Sequence, residues 1–154
     1  ETVPGVGAAP SALASLRANG LAELVPTLRQ PFLGICLGLQ LLCAQSEEGD
    51  TPGLGVFSAC VRAFPAGVKN PHMGWNTVDR LQGPLFRGIE SGSHFYFVHG
   101  FAAEFDVETT ARCDYGHGFS AALSRENFHA VQFHPEKSSA DGARLLENFL
   151  ELEA

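Results

Sequence analysis

The sequence predicts an α/β domain, and three features indicate this class. The apolar run Phe32–Ile35 is typical of a buried parallel strand, and it leads directly into the helical apolar pattern of Leu37–Gln45. Short extended segments follow, separated by Gly, Pro, Asn and Asp, and an amphipathic helix over Ser138–Leu152 closes the chain. Because the chain has 154 residues, of which 45% are apolar, we expect one domain with one core over residues 1–154.

The remaining elements follow from local signals. Pro10–Ala18 is predicted as a helix because Pro lies at its start and Gly20 lies just past its end. Leu21–Leu28 continues as a second helical piece that Pro26 limits. Glu47–Gly55 is acidic and rich in turn residues, which indicates a loop. The strands predicted after this loop are Val56–Phe64, Asn76–Leu81, His94–Val98, Val107–Cys113, Phe119–Ser124 and His129–Phe133.

The closing helix carries its own start signal. Ser138 and Asp141 have the spacing of a capping box, with Asp in place of the usual Glu. The apolar face of the helix is predicted to comprise Leu145, Leu146, Phe149 and Leu150.

Composition and charge exclude several classes of function. Ten Lys and Arg residues stand against 17 Asp and Glu residues, a net charge of −7, and no basic run exists, so we expect no nucleic-acid partner. The longest apolar stretch, Pro31–Ala44, is shorter than the roughly 20 residues that span a bilayer, so we expect no membrane partner. The four cysteines are widely spaced, which favours reduced thiols in a cytoplasmic protein. Neither a C-x-x-C motif nor a helical H-x-x-x-H pair is present, so we expect no metal and no cofactor.

Cys36 is the candidate nucleophile. It stands between Gly34 and Gly38 in a G-x-C-x-G pattern, where the predicted strand meets the predicted helix, as a nucleophile elbow requires. The glycines would allow a sharp turn, and the helix N-terminus would favour the thiolate. The N–H of Leu37 would face the same space as an oxyanion donor. The alternative is that Cys36 is a small buried apolar residue, the ordinary role of a free cysteine.

His134 is the candidate base among six histidines. It follows an alternating strand pattern, and Glu136 stands two residues further on, so in an extended segment both side chains would point the same way. A carboxylate beside the ring would fix one tautomer and stabilise the imidazolium. The alternative is a surface His-Pro-Glu turn. Cys36 and His134 both follow predicted strands, and parallel sheets collect their sites at the carboxyl ends of strands.

These motifs resemble those of a known family. The segments PFLGICLGLQLL around Cys36 and FHPEKS around His134 resemble the class I, triad-type glutamine amidotransferases. The segments PHMGWN at 71–76 and FYFVH at 95–99 resemble the glutaminase subunit of imidazole glycerol phosphate synthase, and VPGVG at 3–7 resembles the oxyanion strand of that subunit. The resemblance implies a flavodoxin-like mixed sheet flanked by helices. It also implies a glutaminase that passes ammonia to a cyclase in histidine biosynthesis.

The resemblance also assigns roles to residues. Cys36 would attack the side-chain amide of glutamine, His134 would transfer protons, and Glu136 would orient His134. The oxyanion hole would comprise the Leu37 N–H with an N–H from the turn at Gly5, Val6 and Gly7. The substrate contacts would come from Gly5, Gln40, Glu48, His99, Gly100 and Phe101. For Glu48 the alternative is one more charge in a solvated loop.

A partner surface is implied as well. Met73, Trp75, Tyr96 and Lys137 would lie where a (β/α)8-barrel cyclase docks to form a heterodimer. For Met73 and Trp75, packing in the core is an equal alternative; for Tyr96 and Lys137 the alternatives are a strand position and a solvated charge.

Two departures from the family pattern are visible. Family members open with a strand, a helix and a second strand, roughly 35–50 residues at usual element lengths, which this sequence lacks. Gly100 stands where the family usually has a hydroxyl residue. Two other functions therefore stay open: a non-hydrolytic binding subunit, and another class I glutaminase or a γ-glutamyl hydrolase.

Overall fold

The structure, a computed structural model, describes residues 8–153. The helices are α1 (Ala9–Ala18), α2 (Leu21–Leu24), α3 (Leu37–Leu42) and α4 (Ser139–Leu150). The strands are β1 (Phe32–Ile35), β2 (Gln45–Ser46), β3 (Thr51–Pro52), β4 (Cys60–Ala63), β5 (His72–Val78), β6 (Ser93–His99), β7 (Phe101–Ala103), β8 (Thr109–Asp114), β9 (Gly118–Arg125) and β10 (Phe128–Val131). Single 3-10 turns cover Val25–Thr27, Pro84–Phe86 and Pro135–Lys137.

The sheet that positions the site is mixed. Its strand order is β1-β10-β9-β8, in which β1 runs parallel to β10 and the other pairs are antiparallel. The parallel register places Ile35 opposite Val131, at the carboxyl ends of both strands. Among residues 8–153, β3, β2, β4 and β7 form a second sheet, and β5 and β6 form a hairpin. The expected mixed α/β architecture is therefore confirmed.

The core lies on both faces of β10. All four residues of this strand are buried, and successive side chains point to opposite faces. Phe128 and Ala130 pack with Leu39 and Leu42 of α3, whereas Val131 packs on the other face in the cluster that includes Leu145 of α4. The sheet is therefore covered by a helix on each side, which explains why β10 is buried along its whole length. In the described range, no helix has the length and apolar character needed to cross a membrane.

The helix after Cys36 is shorter than the sequence predicts. Leu37–Gln45 was expected to be helical, but α3 ends at Leu42 and the Cys43 backbone is extended. The terminal carbonyls of α3 are not left unpaired, because Leu54 and Phe57 donate their N–H groups to Leu41 and Leu42. Leu54, which was expected in a loop, and Phe57, which was expected in a strand, thus cap the C-terminus of α3. The prediction of a strand over all of Val56–Phe64 is wrong, since only β4 is extended and paired.

Other boundaries also differ. The strand predicted at Asn76–Leu81 is β5, which begins at His72 and ends at Val78. The strand predicted at His129–Phe133 ends at Val131. The short strands β2, β3 and β7 were not predicted: β2 and β3 are two-residue strands inside a turn-rich segment, and β7 pairs with β4 about 40 residues away.

The prediction of a capping box at the start of α4 is wrong. Ser138 makes no side-chain bond to the helix N-terminus. Instead its hydroxyl accepts a hydrogen bond from the Tyr96 N–H at 2.9 Å and donates one to the His134 carbonyl at 2.6 Å. Leu145 is fully buried, but Leu150 is 80% exposed, so the predicted apolar face is correct only over its central part.

Gly142 fixes the distance between α4 and the turn after His134. A Cβ at this position would overlap the Pro135 carbonyl oxygen. Gly142→Ala should therefore lower the free energy of unfolding by about 1–3 kcal/mol, as overpacking does, although Gly to Ala inside a helix ordinarily stabilises by about 1 kcal/mol. Urea denaturation measures the sign. The exposed Ala143→Gly variant calibrates the local helix propensity, and a stabilised Gly142→Ala protein would contradict the close contact.

Candidate active site

Cys36 occupies a strained elbow between β1 and α3. Its backbone has φ 53° and ψ −105°, a conformation that residues with a side chain rarely adopt. Its N–H donates to the Val131 carbonyl at 2.8 Å, which continues the β1–β10 pairing by one residue. The thiol therefore lies at the carboxyl edge of the sheet, as the G-x-C-x-G pattern predicts.

The two flanking glycines do not contribute equally. A Cβ on Gly34 would lie 2.9 Å from the carbonyl carbon of Gly38 and 3.0 Å from Leu42 Cδ1, so β1 and α3 approach closely only because Gly34 has no side chain. A Cβ on Gly38 would meet nothing within 4 Å. Of the two glycines expected to avoid a Cβ clash at the turn, only Gly34 does so.

The Cys36 sulfur is buried and has two polar neighbours. Its S–H donates to the Val98 carbonyl at 3.7 Å, and Gln132 Nε2 donates to the sulfur at 3.6 Å. Burial raises the pKa of the Cys36 thiol to about 11, although the Leu37 N–H and Gln132 act in the opposite direction. The expected preference for thiolate at the N-terminus of α3 is therefore outweighed by desolvation, and the helix is only six residues long.

His134 is paired with Glu136, as expected, but through a different geometry. His134 Nδ1 lies 2.6 Å from Glu136 Oε1, and the Pro135–Lys137 turn, rather than extended backbone, brings the two side chains together. The carboxylate accepts the Nδ1 hydrogen, so Nε2 carries the lone pair. Nε2 is buried and has no hydrogen-bond partner within residues 8–153.

Cys36 and His134 lie at the same sheet edge without a bond between them. Cys36 is held to the end of β10 by Val131, and His134 follows Val131 by three residues, with its own N–H donating to the Tyr96 carbonyl. In the described part of the chain, no hydrogen bond joins the sulfur to the His134 ring; the acceptor of the thiol hydrogen is the Val98 carbonyl.

A cavity of about 120 Å³ opens beside the sulfur. Its lining comprises Cys36, Leu37, Gln40, Glu48, Val98, His99, Gly100 and Phe101. Every described residue predicted to bind substrate is in this set, although the residues come from three separate parts of the chain. Gly5, Val6 and Gly7, the predicted partners of Leu37 in the oxyanion hole, lie outside the described residues.

Two of these lining residues already hold neighbouring groups. Gln40 Nε2 donates to the Phe101 carbonyl at 2.9 Å and to Gln132 Oε1 at 3.1 Å. Glu48 Oε2 accepts the Ala9 N–H at 3.0 Å and so satisfies one of the free donors at the start of α1. Both side chains are thus fixed in position at the cavity wall.

An exposed face of the β5–β6 hairpin carries the residues expected at a partner surface. Met73 and Trp75 are 63% and 53% exposed, which excludes the core alternative for both. The Tyr96 ring packs edge-on against Trp75 with centroids 6.0 Å apart, and Lys137 Nζ lies 5.8 Å from the Tyr96 ring. We call Met73, Trp75, Tyr96 and Lys137 the hairpin face.

Sequence reasoning missed three polar residues around the site: Gln132, His72 and Ser138. Each is buried, and each bonds a residue of the site or of the cavity wall. A signal existed for Gln132, which is a polar residue in the apolar run AVQF just before His134. Buried polar side chains need partners, so its presence there indicates a nearby polar group.

An α/β sheet with a cysteine elbow and a His–Glu pair at the same edge is typical of enzymes that react through a nucleophilic side chain. Residues 3–152 match the family described as glutamine amidotransferase class-I. The chain belongs to this family and, within it, to the HisH subunits of imidazole glycerol phosphate synthase, which makes it a glutaminase subunit of histidine biosynthesis.

Individual relatives support both levels of this assignment. The HisH subunit of Bacteroides thetaiotaomicron is 49% identical over 97% of this chain and 78% of its own length, and that of Mannheimia succiniciproducens is 50% identical over the same shares. The crystal structure of a glutamine amidotransferase from Thermotoga maritima matches with a TM-score of 0.65 at 21% identity, over 96% of this chain and 60% of that one. At that identity, the last similarity concerns the fold alone.

The elbow geometry makes opposite predictions for its two glycines. Gly34→Ala should lower the free energy of unfolding by about 1–3 kcal/mol, because the new methyl group collides with Gly38 and Leu42. Gly38→Ala should leave stability unchanged or raise it by up to about 1 kcal/mol, because it improves helix propensity in open space. Thermal and urea denaturation of both variants test this difference. Equal losses would contradict the close approach of β1 to α3.

Proposed function

We propose that Cys36, His134 and Glu136 hydrolyse the side-chain amide of glutamine in the cavity beside the sulfur. The observation that carries this proposal is the convergence of the elbow thiol with Gln40, Glu48 and the segment 99–101 on one small cavity. We treat residues 1–154 as one amidotransferase domain. The four cysteines are free, which supports a reducing, cytoplasmic location.

The reaction divides amide hydrolysis into two easier steps. His134 Nε2 takes the thiol proton, and the sulfur attacks the amide carbon to form a tetrahedral oxyanion. His134 then gives the proton to the departing nitrogen, so ammonia leaves and a thioester remains. In the second half, His134 removes a proton from water, the hydroxide attacks the thioester, and the returning proton restores the thiol as glutamate leaves.

The groups around the sulfur and the His134 ring would orient the base, stabilise the oxyanion and bind the substrate. Glu136 holds the Nδ1 hydrogen of His134 and stabilises the imidazolium that forms in each half-reaction. The Leu37 N–H faces the sulfur, and we assign it to the oxyanion. The second oxyanion donor is assigned to residues 5–7 by the family resemblance alone. One oxygen of Glu48 accepts the Ala9 N–H, and we assign the other to the α-ammonium of glutamine. Gln40 and the backbone of His99, Gly100 and Phe101 bound the rest of the substrate.

The partner is a (β/α)8-barrel cyclase subunit bound as a heterodimer on the hairpin face. Support comes from the exposed Met73 and Trp75, which are residue types that interfaces favour. Tyr96 of this face accepts the His134 N–H through its backbone carbonyl, so ammonia would be released close to the partner.

The alternative functions are weighed by different observations. Another class I glutaminase or a γ-glutamyl hydrolase is disfavoured by relatives about half identical, all named HisH. A non-hydrolytic binding subunit is disfavoured by the His134 and Glu136 pair, which a binding role does not need.

Removing the thiol tests the enzyme assignment. Cys36→Ser should lower glutamate formation by at least about a thousandfold, because nucleophile and base act as a unit. The control is Cys60→Ser, a half-buried cysteine of β4 outside the cavity, which should keep full activity. Glutamate is measured with and without the cyclase subunit. A folded wild-type chain that forms none in either case would support the binding-subunit alternative.

Trimming the hairpin face tests the partner surface. Trp75→Ala should weaken cyclase binding by about 2 kcal/mol, as expected for a tryptophan at an interface centre, which is roughly thirtyfold in Kd. Val107→Ala is the matched control, because Val107 is 95% exposed and belongs to the connection between β7 and β8 rather than to the β5–β6 hairpin. Calorimetric titration gives both constants. Indistinguishable Kd values for Trp75→Ala and wild type would place the interface elsewhere.

A further inference from the structure

We propose that Gln132 is a further residue of the glutaminase machinery, which donates a hydrogen bond that stabilises the Cys36 thiolate and is held in the required orientation by Gln40. The proposal deepens the proposed function, on which its effect on turnover rests. Its effect on the thiol itself is independent of glutamine.

Gln132 is a polar side chain in an apolar place. It follows the last residue of β10, its backbone N–H donates to the Ala121 carbonyl at 2.8 Å, and its side chain is fully buried. A buried amide destabilises a fold unless its groups are hydrogen-bonded. The partners of this one are the cavity residue Gln40 on one side and the nucleophile on the other. An apolar side chain of similar size would fill the same space equally well, so packing alone does not explain a glutamine here.

The orientation of the Gln132 amide is determined by its neighbour. Gln40 Nε2 donates one hydrogen to the Phe101 carbonyl and the other to Gln132 Oε1. A flipped Gln40 would place its oxygen against two acceptor oxygens, which is repulsive. Because Gln40 must present its nitrogen, Gln132 must present its oxygen to Gln40. The Gln132 nitrogen is therefore directed at the Cys36 sulfur.

The Phe101 carbonyl, which determines the orientation of the Gln40 amide, has a second hydrogen-bond partner in His99. The Phe101 carbonyl also faces His99 Nδ1 at 2.8 Å, and His99 Nε2 lies 2.9 Å from His72 Nδ1. If each Nδ1 carries the hydrogen, every group in this chain has a partner with both rings neutral. Burial lowers the pKa of His72 to about 4 and that of His99 to about 3, which agrees with neutral rings. Donors and acceptors are thus matched along the whole row of hydrogen bonds from His72 to Cys36, with the Phe101 carbonyl accepting from both His99 and Gln40.

A donor at this position matters only after the proton has left the sulfur. The neutral thiol donates to Val98, but a thiolate beside that carbonyl would be an acceptor facing an acceptor. The Gln132 N–H and the Leu37 N–H then remain as donors to the charge. Hydrogen bonds to a charged group are stronger than those to a neutral one, so Gln132 favours the thiolate over the thiol.

The test measures thiol reactivity in the full chain with iodoacetamide at pH 8.5, quantifying Cys36 alkylation by mass spectrometry. Gln132→Met has a similar volume and no donor, and should raise the thiol pKa by about one unit. That change lowers the thiolate fraction tenfold but raises the nucleophilicity of the remaining thiolate, so alkylation should slow about threefold. Gln40→Met, which frees the Gln132 amide to rotate, should slow it less. Gln82→Met, at an exposed glutamine, should leave the rate unchanged.

Glutamine kinetics with the cyclase subunit provide the second readout. Gln132 does not line the cavity, so Gln132→Met should lower kcat severalfold while KM stays near the wild-type value. A folded Gln132→Met protein with wild-type alkylation and kcat would overturn the proposal. If Gln132→Met does not fold, an unchanged alkylation rate in Gln40→Met overturns it. Slowed alkylation in a chain that never hydrolyses glutamine would instead refute the proposed function and leave the Gln132 bond standing.

Discussion

The parallel pairing of β1 with β10 is the constraint on which the site depends. Its register places Ile35 opposite Val131, and the next N–H along β1, that of Cys36, donates to Val131. The elbow and the segment that carries Gln132 and His134 therefore leave the sheet at the same level. A slip of one residue would move Phe128 and Ala130 from the face packed against α3 to the face packed against α4, so the different packing of the two faces opposes it.

A second connection ties the site to the hairpin. The Tyr96 peptide is held from both sides, because its N–H donates to Ser138 Oγ and its carbonyl accepts the His134 N–H. Along the same strand, the Val98 carbonyl faces the thiol and His99 lines the cavity. The strand β6 thus presents Tyr96 to the hairpin face and its next residues to the nucleophile. A partner that displaced this strand would therefore displace groups that contact His134, Cys36 and the cavity at the same time.

The parts of the site that could be predicted are those encoded within a few residues. The elbow at Cys36 and the adjacency of His134 to Glu136 follow from short motifs, and the structure confirms both placements, the second through a turn rather than an extended segment. Gln132 was not assigned a role, because its partners Gln40 and Cys36 are 92 and 96 residues away. The early end of α3 has the same origin, since the groups that cap it come from a later loop. Ser138 shows the converse: a local capping signal was overridden by a distant backbone N–H.

Because the Cys36 thiol is buried, its thiolate needs stabilisation from several groups rather than from one strong interaction. A pKa of about 11 in place of an ordinary 9.0 opposes the thiolate by about 3 kcal/mol. A hydrogen bond to a charged group contributes about 1.5–3 kcal/mol, and the bonds from Leu37 and Gln132 already act within this pKa, so desolvation alone opposes the thiolate by more. In the proposed reaction, transfer of the proton to His134 creates an ion pair in place of an isolated buried anion. Glu136 would then stabilise the cationic member of that pair. Under this proposal the ionisation of the buried thiol depends on the same base that the reaction uses.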